Sequence, residues 1–439
     1  MAKPGTAPMG NMKGLGELWA RLRFLLMAII VYRIGTHIPL PGIDPDRVAD
    51  LFNQNQGTIL GLFNMFSGGA LERMSILALG IMPYISASII MQLMAAVTPS
   101  LEQLKKEGES GRRKIQQYTR YLTVGLALVQ AVGMSVGLAG QGLTYGSNTF
   151  LLIAVPTLVC GAVFMMWLGE QINEHGIGNG ISMLIFAGIV AGIPAAVGQS
   201  FESARQGDIN ILALLLIAIL AVATVAAIVF IERGQRRITV NYAKRQQGKK
   251  VFAAQKSHLP LKVNMAGVIP AIFGSSLLLL PATLAGFSDT SNLPNWATTI
   301  LASLGHGQPA YMLLYGAMIA FFAFFYTAIV FNPKDTADNL KQHGGYIPGI
   351  RPGERTAEYI DFVLTRITVV GAIYLVFVCL LPELLIARTG VPFYLGGTSL
   401  LIVVSVTLDT VAQVQGHLFA QQYEGLIKKS KLRGGKKRR

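Results

Sequence analysis

The sequence predicts an all-α integral membrane protein of ten spanning helices, divided five and five. Three observations carry that reading. Hydrophobic residue types make up 52% of the chain and charged types only 13%. A soluble domain carries about 25% charged residues, so so few charges cannot cover a water-exposed surface over 439 residues. The mean hydropathy of +0.49 agrees. Apolar stretches of about 20 residues, enough to cross about 30 Å of hydrocarbon, recur along the chain. Finally, Lys and Arg gather in alternate connections between those stretches. The composition excludes a disordered chain, and the lack of alternating segments of about 10 residues excludes a barrel.

The spans fall at about 24–40, 76–97, 119–139, 150–168, 181–200, 210–231, 265–286, 310–331, 367–387 and 396–415. Each is rich in Leu, Ile, Val and Ala, with Gly and Pro interspersed. The first is not a cleaved signal peptide, because its apolar run continues past Arg33 to Pro41 and no small-x-small site follows. Of the 37 Lys and Arg, 32 fall on one side of such a chain and 5 on the other (Arg33, Arg47, Arg73, Arg205, Arg388). The positive-inside rule then puts both termini in the cytoplasm. Arg33 is expected to snorkel to the outer interface. If the two halves are related, five spans each makes them inverted, and a pathway commonly lies at such an interface. The organisation is a cytoplasmic segment 1–23, a first half 24–200, a second half 210–415 and a basic tail 416–439.

Residues 58–72 are apolar but too short to span, and Ser67, Gly68 and Gly69 break the pattern. They form either a re-entrant segment, tolerated only against protein or a cavity, or an interfacial helix. No enzyme motif is present. The glycines around 108–114 have the wrong spacing for a phosphate loop, and 176–180 is not a dinucleotide fingerprint but a flexible cytoplasmic turn. Cys160 and Cys379 read as small buried hydrophobes, and six scattered histidines do not make a metal site. No cofactor is expected. A small-solute secondary transporter is the rival class. It would carry ionisable groups at mid-membrane, whereas Asp409 is the one carboxylate within a span, toward its cytoplasmic end.

Two cytoplasmic loops stand out. Residues 232–262 hold nine cations and one carboxylate, among them Arg236, Arg237, Lys249 and Lys250. Alternation through Ile238, Val240 and Tyr242 and a turn at Gln247–Gly248 predict a β-hairpin. Such a projection suits an acidic partner, RNA included. In 332–362, Pro and Gly present Arg351 on a stiff turn. The tail 416–439 could bind lipid headgroups or RNA.

Several blocks resemble the bacterial SecY family of translocon channels: PLPGID (39–44), FNMFSGGALERMSI (63–76), ALGIMPYISASIIMQL (78–93), WLGEQINEHGIGNGIS (167–182), ERGQRRITVNYAKRQQG (232–248), FNPKDTADNLK (331–341) and PGIRPGERTAEYID (348–361). The resemblance runs from about Gly14 to Glu424. It implies an hourglass pore in the cytoplasmic (inner) membrane. Secretory polypeptides cross it, and signal or membrane helices leave it sideways. Its constriction is a ring matched by Ile81, Ile85, Ile181, Ile185, Ile272 and Ile402. A soft aliphatic ring fits a moving chain and resists ion leakage by dewetting. The resemblance makes 58–72 the plug, with Phe63, Asn64, Met65, Phe66, Gly68 and Gly69. It also implies a lateral gate of spans 2, 3, 7 and 8, with Ser86 and Asn264 pairing across it, and bends at Pro83 and Pro270. The implied partners are SecE and SecG, the SecA ATPase, the ribosome with its RNA, signal-bearing preproteins and membrane lipids. Arg351 and the basic loop are the docking residues.

Overall fold

A computed structural model describes residues 15–44, 47–48, 64, 67–140, 142–144, 147–206, 211–242, 245–247, 250–252, 256–286, 308–389 and 397–434. Each predicted span falls on one helix. In order these are α1 (Leu15–Gly35), α2 (Met82–Val97), α4 (Glu109–Gly140), α5 (Ser147–His175), α6 (Gly180–Gln206), α7 (Ile211–Glu232), α8 (Ile269–Gly286), α9 (Pro309–Val330), α11 (Glu354–Thr389) and α12 (Gly397–Gly434). Two short helices, α3 (Pro99–Lys106) and α10 (Pro333–Gln342), lie between them. Seven of the helices among the described residues are long and apolar enough to cross a membrane. An eighth crossing is formed if α2 and α3, which meet at 102°, count as one span.

Prolines set two helix starts. Pro83 lies in the first turn of α2 and Pro270 is the second residue of α8. A proline there gives up an amide that would be unpaired in any case, so neither residue bends its helix as expected. The predicted start of span 2 at residue 76 also moves. Residues 76–81 form successive turns, with Ala78 N donating to Ser75 O at 2.9 Å and Gly80 N to Leu77 O at 2.8 Å. Gly80 holds φ +55°, a conformation that glycine adopts without steric cost.

The apolar core is continuous across the helices and includes Tyr32, Leu71, Met74, Ile89, Leu184, Ile319, Phe322 and Ile402. Chain neighbours pack against each other: α4 on α5, α8 on α9, and α9 on α11. Between the halves, α8 packs on α2 and α4, and α12 packs on α6; within the second half α12 also packs on α7. The pairing of α7 with the rest is slight. Ile228 is fully buried, while Leu212, Leu215, Leu216, Ile219 and Val222 are exposed. Such an apolar outer face suits lipid.

Outside the helices there is a small antiparallel sheet. Strand β1 (Gln235–Tyr242) pairs with β4 (Lys256–Lys262) in the register Gln235↔Lys262 through Asn241↔Lys256. Between them β2 (Arg245–Gln247) and β3 (Lys250–Phe252) form an inner hairpin, Gln247 opposite Lys250. The other edge of β1 takes β5 (Gly345–Tyr346) from the second loop, Tyr242↔Gly345. The predicted alternation is visible in β1, where Ile238 and Val240 are buried and Arg237 and Thr239 exposed. Ile238, Leu261, Ile347 and Ile360 make a second, separate core under the sheet.

Candidate functional site

The predicted ring comes together in part. Ile81, Ile85, Ile185 and Ile272 line one cavity of about 10 Å³ together with Ser67, Gly80 and Ser276. That is about the smallest space that admits one water. Ile81 and Ile85 are one turn apart, so both project from the start of α2, and Ile85 N bonds Ile81 O at 3.1 Å. Ile402 is fully buried and Ile181 half-buried; both pack in the surrounding core but do not line this cavity. The six side chains therefore divide into four at the void and two behind it.

Ser67 belongs to the segment 58–72, and α1 holds that segment. Tyr32 Oη donates to Ser67 O at 3.0 Å, and Arg33 Nη1 donates to Gly68 O at 2.9 Å. Arg33 thus spends a donor on the backbone of this segment, where snorkelling alone was expected. Gly68 sits at φ +68°, and a Cβ there would lie 2.6 Å from Tyr32 Oη and 3.0 Å from Gly188 Cα. Only glycine fits. Asn64 closes the segment on itself. Its Nδ2 donates to Glu72 Oε2 at 3.0 Å, and its Oδ1 accepts from Glu72 N at 2.9 Å. Ser67 Oγ donates to Asn64 O at 2.9 Å. Gly69 follows at φ +81°. Phe63, Met65 and Phe66 lie outside the described residues.

The gate residues do not pair as expected. Ser86 is buried on α2. Asn264 Nδ2 donates to Glu232 Oε1 at 2.7 Å and to Gly267 O at 3.0 Å. Both its protons are thereby used on the entry to α8 and the end of α7. The expected bond to Ser86 is replaced by a bond within the second half. The physical reason is charge: a carboxylate accepts a stronger hydrogen bond than a serine hydroxyl. Across the α2–α8 contact, Ser276 Oγ instead meets Met82 Sδ at 3.7 Å. Between α2, α4 and α9 lies a cavity of about 1170 Å³. Tyr84 and Gln92 of α2, Arg112 and Gln116 of α4, Tyr326 of α9 and Asp335 of α10 are on its walls.

The turn at 176–180 is held, where flexibility was expected. Gly178 N donates to Gln413 Oε1 of α12 at 2.8 Å, and Gly180 N to Asn173 Oδ1 at 2.7 Å. Its glycine amides looked free in the sequence. Their partners lie up to 235 residues away, and no local pattern signals such a partner. Among the described residues no group of His, Cys, Asp or Glu could hold a metal ion.

Of the predicted docking residues, Arg236 and Arg237 are exposed on β1. Arg351 is exposed on the turn after Ile350, where Ile350 N bonds Ile347 O at 3.1 Å and Thr356 Oγ1 donates to Arg351 O at 2.9 Å. Gly349 (φ +84°) and Gly353 (φ +108°) flank it. Lys249 lies outside the described residues, and Lys250 is placed only as a member of β3. β5 joins the two loops into one body.

With this geometry in place, known proteins are informative. The model of the SecY family matches residues 75–411. The protein translocase subunit SecY of Pseudomonas aeruginosa is 68% identical over 99% of this chain and 98% of its own. The chain belongs to the SecY family. The Escherichia coli K12 SecY subunit is 59% identical, covering 99% of both chains. Among solved structures, one of a protein-conducting channel aligns with this SecY-family chain at a TM-score of 0.66 and 18% identity, covering 95% of each. Sec61 in the canine ribosome–channel complex from the endoplasmic reticulum aligns at 0.63 and 17%, also covering 95% of each. These likenesses show a SecY-type helical membrane fold. The family is one of channel subunits, not enzymes, and nothing in the likenesses favours a small-solute transporter.

Proposed function

We propose that this chain forms the membrane channel of a protein translocase, passing unfolded secretory polypeptides across the bilayer and releasing apolar helices sideways into it. One observation carries the reading. Four isoleucines from α2, α6 and α8 meet Ser67 around a void of about 10 Å³. Apolar walls around so small a space exclude hydrated ions by dewetting, and aliphatic side chains can yield to a passing chain of any sequence. In the resting channel Ser67 and Gly68 stop the constriction, and Tyr32 and Arg33 hold them. Ile181 and Ile402 join the ring when it widens. Phe63, Met65 and Phe66 complete the plug with Asn64 and Gly69.

The large cavity between α2, α4 and α9 supports a gate between these helices, with Ser86 and Asn264 as its polar residues. The exposed cations of the sheet and Arg351 support docking of a negatively charged partner. SecA or the ribosome is that partner, with Arg236, Arg237, Lys249, Lys250 and Arg351 as contacts. Solved neighbours bound to ribosomes favour this. SecE and SecG brace the exposed outer helices. The charge asymmetry supports cytoplasmic termini, and the likeness to bacterial SecY subunits supports the bacterial inner membrane.

The test stalls a secretory preprotein during SecA- and ATP-driven translocation through the reconstituted complex, with a photoreactive probe at Ile85 or Ile272. Adducts that disappear without ATP are the expected result. Translocation without adducts at either site discards the ring. No translocation from a folded complex discards the channel.

A further inference from the structure

A second concave surface lies away from the constriction and the gate. It is a groove of about 680 Å³ between α9 and α11. Phe324 of α9 and Ile373, Val376, Phe377, Leu380 and Leu384 of α11 are among its walls. Ile373 and Phe377 are each 65% exposed. The wall residues run from Val369 to Leu384, which at 1.5 Å per residue is about 22 Å of helix. Every one of them is apolar, so the groove itself offers no hydrogen bond.

One cation among the described residues stands in register with it, Arg366. Residues 366, 369, 373, 376 and 380 follow helical spacing and share a face of α11. Arg366 belongs to the cationic cytoplasmic stretch that ends where the apolar span begins. Its guanidinium carbon lies 4.1 Å from the centroid of the Phe362 ring. Stacking restrains the guanidinium one turn before the first wall residue of α11, Val369, and uses none of its N–H donors. Among the described residues no carboxylate lies within ion-pairing distance of it.

We infer that this groove and Arg366 form a binding site for an anionic phospholipid of the cytoplasmic leaflet, acyl chain along α9 and α11 and phosphate at Arg366. A groove facing hydrocarbon is always filled, so selectivity has to come from the headgroup. The surface supplies a chain-length apolar track ending in a single unneutralised cation, which is the bipartite chemistry of such a lipid. A partner helix would need a carboxylate at that one level to leave no bare charge.

The purified complex in nanodiscs of equal phosphatidylglycerol and phosphatidylcholine tests this. A diazirine residue replaces Ile373, and a control probe replaces Val370, exposed on the same helix but outside the groove. The adducts are identified by mass spectrometry. The expected result at 373 is about fivefold enrichment of phosphatidylglycerol, from one cation at the membrane surface. Arg366→Gln returns the ratio to the bulk value, which the probe at 370 reports throughout. Equal ratios at 373, a preference unchanged in Arg366→Gln, or adducts to a partner subunit's helix each overturn the site.

Discussion

In the proposed channel, the seal falls on a few atoms of Gly68 and Arg33. Gly68→Val adds a Cβ at 2.6 Å from Tyr32 Oη and demands φ near +68° of a branched residue. Strain of this kind costs about 1–3 kcal/mol. A seal that loses it shifts by roughly tenfold or more toward the open form. Gly68→Val is therefore expected to raise the ion conductance of the idle reconstituted channel. Arg33→Gln should do so less, because it removes the charged donor to Gly68 O but leaves the Tyr32 bond. Single-channel recording measures both, and idle conductance equal to the parent's removes the seal from these residues. Asn264 allows a sharper residue-scale test. It bonds Glu232 rather than Ser86, so Asn264→Ala should destabilise the purified complex by about 1.5–3 kcal/mol. Ser86→Ala should cost less than 1 kcal/mol, within the usual range of mild substitutions. The coupling of Asn264→Ala with Glu232→Gln, read by thermal unfolding, should exceed about 0.5 kcal/mol. An additive pair of changes would deny the bond any energetic weight. At this scale the sequence was a poor guide. The residue types were visible, but Asn264 chose a partner 32 positions back, and Arg33 chose a carbonyl 35 positions ahead.

At the scale of elements, the sheet makes one object of two loops. Val240 is 2% exposed between Ile238 and the edge taken by β5. Val240→Asp buries an unpaired charge there and should disorder both loops together. Hydrogen exchange of β1, β4 and β5 would then rise as a unit, and a rise confined to β1 and β4 would separate the loops. Arg351→Glu leaves this core intact. It should abolish partner-stimulated translocation while circular dichroism stays unchanged, and full stimulation in the variant would remove Arg351 from docking. The elements were largely legible beforehand. Ten apolar stretches became ten helices because hydrocarbon demands internal backbone pairing over a set length. The hairpin showed in the alternation of Ile238 and Val240. The third strand did not, since Gly345 and Tyr346 are too short a run to carry a pattern. Pro83 and Pro270 were read as bends because spans were drawn from hydropathy, which does not mark where a helix begins.

For the whole molecule, charge asymmetry is what supports the proposed orientation and the proposed docking. With 32 of 37 cations on one side, docking to an RNA-bearing partner should weaken steeply with salt. The slope of log affinity against log salt should fall by about one for each phosphate-contacting cation removed. Arg236→Gln with Arg237→Gln should therefore flatten that slope by roughly two. An unchanged slope would move the contact elsewhere. The family fold and its channel function were legible in whole blocks of sequence. The four isoleucines at the small void were named through that resemblance alone, because side chains from separate helices meet only after packing and leave no local pattern.

The short strand β5 has a mechanical meaning. It follows α9 through α10, and α9 walls the large cavity. A load applied to the basic hairpin passes through the two β1–β5 residue pairs into the chain that leads back to α9. The hairpin is thus a handle and β5 its rivet. If a partner docks as proposed, tilting the handle would turn one jamb of the proposed side door from outside the apolar helices.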